Sequence, residues 1–93
     1  MTQYALPITK NEINDLAKYH AERAKKLSKR NGDSPVLFLV GKIRDLENET
    51  ILTFDELQKE FANKEIITFS CKEEYNKMQA YALCLAIIEV NKN

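Results

Sequence analysis

The sequence is poor in the residues that punctuate or staple a chain: two glycines, two prolines, two cysteines, one histidine and no tryptophan among 93 residues. So little Gly and Pro leaves no material for a flexible linker, and a chain of this length supports one hydrophobic core rather than two. Residues 1–93 are therefore expected to form a single domain. Gly32 and Gly41 stand nine residues apart, which excludes the glycine-rich loops that cradle phosphates in nucleotide-hydrolysing enzymes. Cys71 and Cys84 fall just before and well inside an expected helix, poor positions for a disulfide, and read as reduced thiols of a cytoplasmic protein. His20 is remote in sequence from both, too few ligands for zinc. No cofactor is expected.

Net charge is also missing, with 14 basic residues against 14 acidic ones, so the molecule as a whole is not drawn to nucleic acid or anionic membrane. The balance hides a polarity: residues 1–32 hold seven basic and three acidic side chains, residues 33–93 seven and eleven. No basic start followed by an apolar run and a small-residue cleavage site marks a secretory leader, which again points to the cytoplasm. The most apolar stretch, Ala80 to Val90, is about half the roughly 20 residues a membrane span needs. No membrane partner is expected.

What is present is a set of helix starts. Thr9-Lys10-Asn11-Glu12 has the capping-box spacing, and Ile8 and Ile13 flank it as a hydrophobic staple. Beyond it Ile13, Leu16, Ala17, His20, Ala24 and Leu27 recur at helical spacing, so a helix is predicted over Lys10–Arg30, stopped by Asn31-Gly32 and kept from resuming by Asp33-Ser34-Pro35. Val36-Leu37-Phe38-Leu39-Val40, bounded by Pro35 and Gly41, reads as a central strand buried on both faces. Lys42-Ile43-Arg44 extends it toward a polar turn, and Thr50-Ile51-Leu52 reads as a returning strand. A second box, Thr53 to Glu56, opens a short helix with Phe54, Leu57 and Phe61 on one side. Glu65 to Phe69 is the third strand, and a third box, Ser70 to Glu73, opens the last helix.

The fold class expected is α+β: a small three-stranded sheet packed against two long helices and one short helix, in the order helix, strand, strand, helix, strand, helix. The last helix carries no charge from Tyr81 to Ile88. A helix apolar all round must be covered by two layers of its own domain or by a second chain, so Tyr81, Leu85 and Ile88 are a candidate oligomer or partner interface, including a homodimer.

Candidate chemistry is thin. His20 sits on the apolar stripe of the first helix, where a packed boundary histidine is commoner than a catalytic one. Cys84 lies inside an apolar helix and reads as inert packing; Cys71 lies at a helix start, which favours thiolate, but has no resolving cysteine or base at a known spacing. Asp45, Glu47 and Glu49 alternate without the glycine and distal glutamate of a calcium loop. One charged feature stands above background: Arg23, Lys25, Lys26, Lys29 and Arg30, all in the last turns of the first helix. They suit an acidic partner or nucleic-acid phosphates, and they also suit a helix C-terminus and a solvated face.

With catalytic, metal and nucleotide signatures missing, the function expected is that of a small non-enzymatic binding protein, an inhibitor, immunity protein or regulatory adaptor acting by stoichiometric protein–protein binding. Eight Asn and eleven Lys against three Arg suit AT-rich coding of the kind common in phage and mobile elements. The alternative is a nucleic-acid-binding protein using Arg23, Lys26 and Arg30, which share one helical face.

Overall fold

Thr9 joins the two kinds of secondary structure in this protein. It ends strand β1 (Ala5–Thr9) and caps helix α1 (Lys10–Asn31). Its Oγ1 accepts a hydrogen bond from the Glu12 amide at 3.1 Å, and Glu12 Oε1 accepts one from the Thr9 amide at 3.1 Å, so the capping box is complete. The computed structural model describes residues 4–46 and 54–92. After α1 come α2 (Pro35–Asp45), α3 (Phe54–Phe61), β2 (Ile66–Phe69) and α4 (Lys72–Asn91). The protein is α+β and mostly helical.

Among the described residues the sheet has two strands, not three. β1 and β2 run antiparallel, with Ala5 opposite Phe69, Ile8 opposite Ile67 and Thr9 opposite Ile66, and an irregularity between Ala5 and Ile8. Ile67 and Phe69 point into the core while Leu6, Ile66 and Thr68 point out, the alternation a half-covered ribbon requires. Each strand leads directly into one of the two long helices.

Three expectations are corrected. The run Val36–Val40 is not a central strand but the body of α2, which starts with Pro35 at its first turn and continues to Asp45. Val36, Leu39, Ile43 and Leu46 recur at three- and four-residue spacing, and over 11 residues that period outweighs the β-forming composition of the five-residue core. Leu39 is fully buried but Leu37 is 68% exposed, a disparity no strand buried on both faces would show. The strand β1 stands where no element was expected; its Pro7 is tolerated because in a two-stranded sheet either strand keeps one open edge. Finally, α4 is capped by Cys71 without a side-chain bond, and the third box is displaced: Ser70 donates from its amide (3.2 Å) and its hydroxyl (2.6 Å) to the carboxylate of Glu74. The expected strand at Thr50–Leu52 and the cap at Thr53 lie outside the described residues.

The first helix ends one residue later than predicted. Gly32 takes the left-handed conformation (φ 77°), and its amide donates to the Ser28 carbonyl at 2.7 Å. The buried seam of α1 is Ile13 followed by the small residues Ala17, Ala21, Ala24 and Ser28, which let α4 pack closely, while Leu16, His20 and Leu27 sit half-buried at its margin. Ile13, Phe61, Ile67, Phe69, Met78 and Tyr81 form a core under the sheet; Ala21, Ala24, Leu39, Leu83 and Ala86 form a second one between α1, α2 and α4. Helix α4 is apolar all round because α1, α2, α3 and β2 all lie against it.

Candidate functional site

The apolar length of α4 is used inside the fold. Tyr81 is 8% exposed, its ring stacked with Phe54 (centroids 6.1 Å apart) and tilted against Phe61 (5.4 Å). Burial raises its phenol pKa above the ordinary value. Leu85 packs on the same core, and of the three residues expected at an interface Ile88 alone is exposed. The structure therefore does not bring Tyr81, Leu85 and Ile88 together as one outward surface.

The candidate reactive groups are scattered. His20 is half-buried at the margin of α1, edge-on to the Tyr19 ring at 5.6 Å. Burial, and then the nearby Lys42 and Arg23 cations, hold its pKa below the usual imidazole range. Cys71 and Cys84 are both free and half-buried, and burial pushes the Cys84 thiol up, away from thiolate. Among the described residues no three His, Cys, Asp or Glu side chains come together to hold a metal ion. No helix among them is long and apolar enough to cross a membrane.

The basic cluster divides. Arg23, Lys26 and Arg30 line one open depression along the outer side of α1, together with Lys18, Tyr19 and Leu27 and the carboxylates of Asp15 and Glu22. Lys25 and Lys29 do not line it; Lys25 is half-buried and Lys29 exposed on the adjoining flank.

The sheet end holds a surface that sequence reasoning missed. A two-stranded ribbon packs only one face, and here the other face presents Leu6 and Ile66 at 84% and 61% exposure, with Tyr4 and Pro7 also exposed. Isolated exposed apolar residues are ordinary, but several on one small ribbon form a patch. Between β1 and the helices beneath it runs a groove of about 620 Å³, floored by Ile8, Leu16, Phe69, Tyr75 and Met78 and edged by Leu6 and Pro7 on one side and Glu12 and Asp15 on the other. That volume falls within the range of ligand-binding clefts. Tyr75 is positioned by two rings, Phe69 at 5.2 Å and Tyr4 at 5.7 Å. The available signal was the apolar stretch Ala5-Leu6-Pro7-Ile8 ahead of the capping box, too long to serve only as a staple.

The groove is a concave, mainly apolar cleft beside β1 with Glu12 and Asp15 on its rim. No protein-family model, curated protein or solved structure matches the chain.

Proposed function

We propose that this chain is a small non-enzymatic protein-binding module, of the inhibitor, immunity or adaptor kind, which holds an extended segment of its partner in the groove beside β1. The observation that carries the reading is the coincidence, at Leu6 and Pro7, of the groove's rim with the exposed apolar face of the ribbon. A segment laid there meets apolar pockets from Ile8, Leu16, Tyr75 and Met78, while Glu12 and Asp15 favour a basic residue on its other side. Pro7 has no amide hydrogen to donate and the strand is irregular beside it, so side-chain anchoring outweighs continuation of the ladder, and the open edge is guarded against indefinite stacking of copies. Neither His20 nor either thiol lines this groove.

Selection of a displayed random peptide library on the immobilised full chain tests this. The reading expects enriched peptides with spaced apolar residues and a Lys or Arg, whose affinity drops at least tenfold against Leu6→Asp and whose basic preference reverses against Asp15→Lys. Leu6 is so exposed that its substitution leaves the core untouched. Peptides that bind Leu6→Asp as well as the parent chain would overturn the assignment.

A further inference from the structure

Between Glu22 and Asp33 every charged residue is a cation, five in all. The helix C-terminus accounts for part of this, since its partial negative charge is complemented within the last turn, where Lys29 and Arg30 lie. Arg23 and Lys26 lie earlier and are not explained in that way. With Arg30 they form one row on the side of α1 away from its buried seam, and that row is open to solvent. Two of the chain's three arginines are in it, and the planar fork of a guanidinium matches a phosphate.

Sequence spacing showed no aromatic residue among these cations, but the folded helix supplies one at their head. Tyr19 is 55% exposed, and its hydroxyl accepts a hydrogen bond from Arg23 Nη1 at 3.2 Å. That bond orients the two side chains together on one surface. From Tyr19 to Arg30 the row extends roughly 16 Å at the rise of an α-helix. Of the depression's two carboxylates, Asp15 lies one turn before Tyr19, and Glu22 lies within the row, next to Arg23 and four residues from both Lys18 and Lys26, whose charges it partly offsets.

We propose that this row binds single-stranded nucleic acid without sequence preference, with phosphates on Arg23, Lys26 and Arg30 and a base against the Tyr19 ring. The combination of a cationic track and an aromatic platform is what such binding requires. An acidic protein surface would use the cations but leave an exposed aromatic at their head without a partner. The depression meets the β1 groove at Asp15, but Tyr19, Arg23, Lys26 and Arg30 do not line that groove, so the two proposals rest on different residues.

The test is fluorescence anisotropy with a labelled mixed-sequence oligonucleotide, single-stranded and as its duplex, titrated with the full chain. Three neutralised phosphates imply single-strand affinity falling roughly 20-fold from about 50 to about 200 mM salt. The triple variant Arg23→Ala, Lys26→Ala, Arg30→Ala should lose that binding and its salt dependence. The triple variant Lys59→Ala, Lys72→Ala, Lys92→Ala makes the same change in charge on exposed sites elsewhere and should bind as the parent does. Tyr19→Ala should weaken the single strand about fivefold or more and the duplex less. Circular dichroism checks that each variant is folded. No binding at the lower salt, equal weakening by the two triple variants, equal effects of Tyr19→Ala on both nucleic acids, or polyglutamate competing as well as unlabelled oligonucleotide would each overturn the proposal, the last assigning the row to an acidic protein.

Discussion

The rings of Tyr81 and Phe54 lie nearly parallel, 16° apart with centroids at 6.1 Å, and this pair fastens α3 to the middle of α4. Of the two covers that an all-apolar helix allows, its own domain or a second chain, the fold supplies the first at Tyr81. Tyr81→Ala should therefore destabilise the protein by about 3–5 kcal/mol, the range for deleting a buried aromatic, whereas Tyr81→Phe should cost less than about 1 kcal/mol. Urea unfolding followed by circular dichroism measures both. A near-neutral Tyr81→Ala would place this ring at a surface after all.

The replacement of a strand by α2 is open to a direct check at Leu37 and Leu39. Leu39→Ala should cost about 2–5 kcal/mol and Leu37→Ala close to nothing, because one side chain is fully buried and the other mostly wet. Equal costs would restore the buried-strand reading.

The two glycines give a matched pair. A methyl group added at Gly32 or Gly41 meets no atom within 4 Å, so the backbone alone decides. Gly32→Ala forces a left-handed conformation on alanine and should destabilise by about 1–2 kcal/mol. Gly41→Ala lies inside α2 and should stabilise by about 0.5–1 kcal/mol. Thermal melting reads both signs, and a destabilising Gly41→Ala would contradict the helix.

The legible parts of this fold were those written in local chemistry. Thr9, Glu12 and Gly32 fix both ends of α1 with side-chain and backbone bonds made within a few residues, and β2 emerged from the β-forming run Ile66–Phe69. The rest depended on partners distant in sequence. Val36–Val40 suits a strand or a buried helix by composition, and α4 with α1 settles which. Strand β1, with Pro7 inside it, is permitted by the open edge that a two-stranded sheet provides, which depends on its pairing with β2 about 60 residues away. The basic row was visible, but Tyr19 joins it only through the turn of the helix, and the groove beside β1 needs residues from both strands and both long helices, which no spacing reveals.

His20 should contribute to the loss of stability toward acid pH. Its folded pKa lies below the unfolded value of about 6.5, through burial first and the Lys42 and Arg23 charges next. A group depressed in this way contributes stability above the unfolded value, and that contribution is lost as pH falls through the folded one. Urea midpoints should accordingly drop as pH falls through and below the unfolded value of about 6.5, and His20→Gln should flatten the drop. An unchanged slope in His20→Gln would mean that other groups carry it.

The most direct measurement is site-specific photo-crosslinking in host lysate, with a benzophenone amino acid placed at Leu6 beside the groove and, separately, at Lys59 on the outer side of α3. The account predicts a discrete protein adduct from position 6, retained after nuclease treatment, abolished by adding the charge reversal Asp15→Lys, and absent from position 59. No discrete adduct at position 6, or the same adducts from both positions, would contradict a partner seated in the groove beside β1.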